Sequence, residues 1–191
     1  MFYFNVSNMD EKNILSQFTS LVRRRRSIRQ FTDEPLTKDE IKELMKAALM
    51  SPSSKSKRPW HFVVVDDKQD LESLSKCKPS GAQFLQEAPL GIVVAVDTDK
   101  SEVWIEDGSV ATTMLLLQAE AMGLGACWIQ IRGRSFSDTV SSEDEVRRIT
   151  GLPENMRIVS IVAVGHKGQE RKEQDEEKLL WSQVHIGKFV E

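Results

Sequence analysis

Three guanidiniums and one hydroxyl fall within five residues, Arg25-Arg26-Ser27-Ile28-Arg29, and Gln30-Phe31 follow them. A guanidinium is a planar fork that grips phosphate oxygens two at a time, and a serine hydroxyl can add a short hydrogen bond. Read alone, Arg23–Arg26 with Arg29 is a solvated basic helix end, which the helix dipole favours. Nothing aromatic is interleaved with the run in the way nucleic-acid binding calls for. A second block, Ser51-Pro52-Ser53-Ser54-Lys55-Ser56-Lys57-Arg58-Pro59-Trp60, joins a helical segment to an apolar one and ends in a rigid turn and a large aromatic anchor. A third, Met122-Gly123-Leu124-Gly125-Ala126-Cys127-Trp128, leaves a helix and enters a strand. That order is the reverse of a dinucleotide fingerprint, and the chain has no Walker-type phosphate loop. With all three blocks in view, phosphate binding by Arg25, Ser27 and Arg29 is the favoured reading, and Arg23 and Arg24 are surface residues.

Other reactive side chains offer less. Cys127 sits in an apolar, strand-like run with no basic neighbour in sequence, so a buried structural thiol is favoured over a nucleophile. His61, His166 and His185 have no ligand spacing between them, and no metal site is expected. The carboxylate runs Glu143-Asp144-Glu145 and Asp175-Glu176-Glu177 read as helix starts or solvated faces.

The elements that would position these groups follow from periodicity. Ile14, Leu15, Phe18, Leu21 and Val22 predict an amphipathic helix over about 10–23. Thr37-Lys38-Asp39-Glu40 is a capping box that opens a second helix, which Pro52 stops. Strands are predicted at 61–65, 90–96, 126–131 and 157–164, with weaker helical segments at 69–76 and 81–87. A helix over 106–122 is apolar nearly all round through Met114-Leu115-Leu116-Leu117, which belongs in a core or a subunit interface. Ser142-Glu143-Asp144-Glu145 reads as another capping box, and Gly151 as the end of its helix. The highly charged stretch 169–178 cannot fold by itself. Beyond it, Trp181, Ile186 and Phe189 are too apolar for a free terminus, so the tail is expected to dock on something. The order is one α+β or α/β domain with a small sheet.

Bulk properties set outer limits. With 40% hydrophobic and 29% charged residues, the chain can bury a core. A net charge of -3 argues against bulk nucleic-acid binding, so the arginine run acts locally. No apolar run spans a membrane and the N-terminus lacks a signal-peptide pattern. Two cysteines are too few for a disulfide scaffold, so a reduced cytoplasmic setting is expected.

The three blocks in this order resemble the nitroreductase family of flavin enzymes, over about Ser16 to Phe189. The resemblance implies an α+β fold: a small central mixed sheet flanked by helices, in an intertwined homodimer. It implies one FMN-binding domain over 1–191, with 1–9 as an N-terminal extension and 169–191 as a tail docking on the partner subunit. In the family, residues matching Arg25, Arg26 and Ser27 hold the phosphate and ribityl of FMN, and the one matching Arg29 reaches the flavin pyrimidine. Pro52-Ser53-Ser54 and Pro59-Trp60 match a motif that lines the flavin from the other subunit. Asp107, Ala111 and Leu115-Leu116-Leu117 look like the family's central interface helix. Positions matching Gln130 and Ile131 present backbone N–H groups to flavin N5, and Arg171 and Lys172 match a basic position used for the phosphate.

Two departures concern the pocket. The family usually has Asn where this chain has Ser56 and Gln where it has Arg58, so an amide is shortened and a permanent charge is introduced. Gly165-His166-Lys167-Gly168 also lacks the Tyr-Pro often found there. The resemblance implies hydride transfer from NADH or NADPH through FMN to a small-molecule acceptor such as a nitroaromatic or quinone. Alternatives on the same fold are a dehalogenase-like or azoline-oxidising flavoenzyme, or a non-catalytic flavin-binding protein.

Overall fold

The computed structural model describes residues 8–189; residues 1–7 of the expected N-terminal extension lie outside them. The chain divides into two compact units, one of Met1–Arg25 with Lys172–Glu191 and the other of Arg26–Arg171.

The larger unit is built on four strands: β1 (Trp60–Val65), β2 (Leu90–Asp97), β3 (Leu124–Gln130) and β4 (Met156–His166), in the order β1-β2-β4-β3. All three strand pairs are antiparallel. Among the described residues, the parallel component of the expected mixed sheet is a single bridge, Ser27 to Ala126. Every residue of β2 is buried, as its unbroken apolar run requires of a central strand.

Side chains alternate between the two faces, and each face carries its own core. On one, Leu44 and Ala48 of α2 (Lys38–Leu49) and Leu115 and Ala119 of α4 (Trp104–Ala121) pack on Ile92, Val94, Val162 and Val164. On the other, Leu71 and Leu74 of α3 (Lys68–Ser75) and Val146 of α5 (Ser142–Thr150) pack with Leu85 on Val93, Ala95, Ile161 and Ala163. The result is a three-layer helix–sheet–helix arrangement.

Local signals set most element ends. Thr37 and Glu40 form the expected reciprocal box at the start of α2. Gly123 (φ +76°) and Gly151 (φ +70°) adopt the left-handed conformation that ends α4 and α5. The start of α5 differs from expectation by one residue. Its cap is Ser141, whose Oγ accepts from Asp144 N–H at 3.1 Å. Ser142 is buried in the first turn instead. Two serines in a row satisfy the same pattern, and only the backbone turn decides between them.

A bulge interrupts the β2–β4 ladder: Val94 faces Ser160 and Ala95 faces Ile158, leaving Val159 without a partner across β2. The Val159 carbonyl accepts from both Ile131 and Arg132 N–H, at 3.3 and 3.2 Å. The bulge therefore lies where β3 ends.

The smaller unit holds α1 (Asn8–Arg24) and the C-terminal segment. Gln174 N–H donates to Arg23 O at 2.9 Å, and Arg23 pairs with Glu176 at 3.3 Å. The helix runs where periodicity places it, and among the described residues Ile14, Phe18 and Val22 of its apolar stripe are exposed. Periodicity reports that one face is apolar, not what covers it. Trp181 (70%) and Ile186 (96%) of the tail are exposed as well.

Candidate functional site

The first motif lies along the end of the sheet beside β3. Ser27 bridges to Ala126, and Ile28 N–H donates to Ala126 O at 3.0 Å. Phe31 bridges to Lys167, and Thr32 N–H donates to His166 O at 3.0 Å. Ile28 is buried against Gly125, where a Cβ would stand 2.7 Å from its Cγ2. The glycine of the third block thus lets the first motif dock on β3. Arg29 is exposed, with its guanidinium 5.8 Å from the Phe84 ring centre, at cation–π range. Arg26 is half-buried beside Ser27, and Arg171 is exposed. Arg25 and Lys172 belong to the smaller unit, where Arg25 N–H donates to Leu21 O at 2.9 Å.

The second motif is a strained loop with an anchor. Lys55, Ser56 and Arg58 have φ of 51°, 55° and 47°, a region costly for residues with a Cβ. Asp107 of α4, buried at 4%, holds it: Oδ1 accepts from Ser54 N–H at 2.8 Å, and Oδ2 from the Ser101 hydroxyl at 2.7 Å. Ser53 Oγ accepts from Arg58 N–H at 2.9 Å. Trp60 is buried and β1 begins there, so it is the expected core anchor. Pro52, Ser56 and Arg58 are exposed. The anchoring role of Asp107 is not signalled by sequence, because its partners lie 53 residues away and across a loop.

At the end of β3, backbone parity separates Gln130 from Ile131. In an antiparallel pair alternate residues turn their N–H and C=O toward the partner strand. Ile131 N–H donates to Val159 O, so its amide faces β4. Gln130, one residue earlier, directs its backbone to the outer edge of the sheet, as does Ala126, whose carbonyl takes Ile28 N–H. The pair expected to present N–H groups together is split: Gln130 faces outward, and Ile131 is occupied within the sheet. The Gln130 side chain is fixed as well. Its Oε1 accepts from Trp128 Nε1 at 3.0 Å, and its Nε2 donates to Arg132 O at 2.8 Å.

Lys78 joins this edge, a residue the sequence reading passed over. It is half-buried, and Nζ donates to Gln130 O at 3.1 Å. Burial, with Arg134 nearby, holds its pKa below the usual lysine range. The two residues are 52 apart in sequence, and only the fold brings them together. The thiols stay out of this chemistry. Cys127 is buried at 1%, and burial pushes the Cys77 thiol up to about 11.

The fold and this edge define a class. The sequence model of the Nitroreductase family matches residues 22–80 and 69–166, and the chain belongs to that family. An FMN-dependent nitroreductase of Clostridium difficile R20291 is 39% identical, with a TM-score of 0.88 over 90% of this chain and 99% of that one. A structure from Parabacteroides distasonis ATCC 8503, provisionally named an NADH dehydrogenase/NAD(P)H nitroreductase, is 32% identical, with a TM-score of 0.83 over 91% and 99% of the two chains. An Archaeoglobus fulgidus protein with the same provisional name is 32% identical over 161 residues, 82% of this chain and 89% of its own length.

Proposed function

We propose that this protein is an FMN-dependent oxidoreductase that takes hydride from NADH or NADPH and passes reducing equivalents to a small acceptor such as a nitroaromatic or quinone. The observation that carries the reading is the outward-facing backbone of Gln130, held by its own side chain and by Lys78, on a sheet edge beside Ser27 and Arg29. A flavin needs a fixed amide at its hydride-accepting edge, cations for its phosphate and pyrimidine, and a backbone that approaches closely. The donor set fits: among the described residues Arg29, Arg58 and Lys78 form no ion pair with a carboxylate, and all remain able to bind an anion. The fitted relatives of known name support the same assignment.

When bound, FMN supplies the hydride chemistry, which no protein dyad or triad needs to provide. The chain's part is position and charge. Gln130 N–H orients the reacting edge. Arg29, and Arg58 on the strained loop, favour the more negative reduced form electrostatically. Ser27 with Arg26 is assigned to the phosphate and ribityl side. Arg25, Arg171 and Lys172 are assigned to the phosphate on the motif match alone. Pro52, Ser53, Ser54 and Ser56 line the flavin of the partner subunit in this reading. Ile131 contributes through its buried side chain and the turn it begins, not as a second N–H donor.

The homodimer is part of the proposal. Its support is the apolar surface that one chain leaves exposed: Phe18 and Val22 on α1, and Leu180, Trp181, Ile186 and Phe189 on the tail. We also place the protein in a reducing, cytoplasmic setting, consistent with two free buried cysteines. The test is the visible spectrum of purified protein reconstituted with FMN, followed by anaerobic titration with NADH and NADPH. Flavin absorbance that bleaches on titration is expected. Absence of flavin uptake and of a thermal shift with FMN would overturn the assignment.

A further inference from the structure

A cavity of about 490 Å³ opens beside the end of β3, lined by Lys78, Pro79, Ser80, Arg134 and Ser135. The fold holds one of its cations and the backbone that carries the other. Lys78 is fixed by its bond to Gln130 O. Arg134 sits in a tight turn, its N–H donating to Ile131 O at 3.0 Å and its carbonyl accepting from Ser142 N–H at 2.9 Å. Gly133 (φ +68°) makes that turn possible. The adjoining Ser135 is pinned by a bridge to Ser141.

The wall carries no carboxylate, and among the described residues neither Lys78 nor Arg134 is in an ion pair. Lys78 is half-buried and Arg134 is exposed, and two neighbouring like charges are relieved when an anion joins them. Lys78 has three donors and uses one on Gln130, leaving two to face the cavity. Arg134 adds a planar fork, and Ser80 and Ser135 add hydroxyls. A guanidinium, an ammonium and two hydroxyls around a space of this size suit a phosphoryl group.

We propose that Lys78 and Arg134 form a phosphate subsite that grips the diphosphate of the nicotinamide dinucleotide while its ring meets the flavin beside Gln130. The proposal rests on the function assigned above. The link is direct: the lysine that faces the cavity also holds the carbonyl of the residue whose N–H faces the flavin edge. Occupation of the subsite would therefore fix Gln130 more firmly at the moment hydride is delivered.

The test uses full-length, FMN-loaded protein and the variants Arg134→Gln, Arg134→Lys and Lys78→Gln. Anaerobic stopped flow compares NADH with 1-benzyl-1,4-dihydronicotinamide, a reductant without phosphate. The preference for NADH should fall about tenfold in Arg134→Gln and Lys78→Gln, the size expected for one charge-assisted bond, and recover in part in Arg134→Lys. A second readout needs no turnover. Inorganic pyrophosphate, against sodium chloride of equal ionic strength, should protect Lys78 from acetylation by acetic anhydride, and Arg134→Gln should abolish the protection. Unchanged NADH preference with no protection overturns the subsite. Loss of FMN from Arg134→Gln also overturns it, because the cations would then serve the cofactor's own phosphate. A protein that takes up no FMN at all defeats the assigned function, while pyrophosphate protection still decides whether the subsite exists.

Discussion

In the proposed function Arg29 and Gln130 have different parts, one beside β3 and the other at its end. Gln130 would act through its backbone, so a substitution that keeps an N–H there keeps the donor. Arg29 would act through charge, so its substitution is the informative one. Arg29→Ala should weaken FMN binding by about tenfold or more, the equivalent of one charge-assisted hydrogen bond, measured by flavin fluorescence. In protein kept saturated with FMN it should also lower the midpoint potential, and Arg58→Ala should do so too. Spectroelectrochemistry on the two variants checks this, and an unchanged potential in both would remove the electrostatic role. Cys77 gives a simpler test. Its thiol is fully buried with its pKa raised to about 11, so native protein at pH 8 should not react with a disulfide reagent at Cys77 until denaturant is added.

Among the elements, the capping box of α2 is the clearest case of sequence dictating structure. Thr37 N–H donates to Glu40 Oε2 at 2.7 Å, and Glu40 N–H donates to Thr37 Oγ1 at 3.2 Å. The Thr37 N–H, with the Thr37 hydroxyl donating to the same Oε2 at 2.7 Å, holds the Glu40 carboxyl below its ordinary value of 4.5. A depressed carboxylate stabilises the fold above its unfolded pKa, and that contribution disappears as pH falls through the folded value. Thr37→Ala should cost about 1 kcal/mol at neutral pH, and the difference from wild type should shrink below pH 4.5 in chemical-denaturation curves. The loop before β1 is the opposite case. Its three left-handed residues would relax without Asp107, so Asp107→Ala should destabilise by about 1–3 kcal/mol per stranded donor. It should also open the loop to proteolysis between Ser53 and Trp60.

The contrast shows what was legible in the sequence. Caps and stops are local, and Thr37, Gly123 and Gly151 could be read directly. Ser141 was missed for Ser142 because the choice depends on one backbone turn. The parity of Gln130 and Ile131 depends on register with a strand about 30 residues further along and on the bulge at Val159. The places of Lys78 and Asp107 depend on contacts 52 and 53 residues long. The first motif was legible as chemistry, but its docking on β3 through Gly125 becomes visible only in the fold.

For the molecule as a whole, the two units have different characters. The larger has two complete cores and should fold as a cooperative body. The smaller leaves Phe18, Val22, Trp181 and Ile186 facing outward. In a permanent dimer such surface is covered, since these interfaces bury roughly 2,000–5,000 Å². Deleting residues 179–191 should therefore shift the protein toward monomer in light scattering and release flavin. A full-length, FMN-loaded monomer would refute the dimer.

The sheet has two edges, and the chain treats them differently. The β3 edge is covered by residues 27 and 28 of the same chain. On the other side β1 pairs only with β2 among the described residues, and it presents Phe62-Val63-Val64 with Val64 exposed. A β-branched edge of this kind is a template for misassociation during refolding. Asp66 after it is the residue that guards against this, since a negative charge discourages a further strand; Pro59 before it turns its backbone to β2, its carbonyl accepting from Asp97 N–H at 2.9 Å. Asp67 cannot share the task freely, because it caps α3. The burden falls on Asp66, and Asp66→Val should leave the native fold intact while lowering refolding yield and raising turbidity as protein concentration increases.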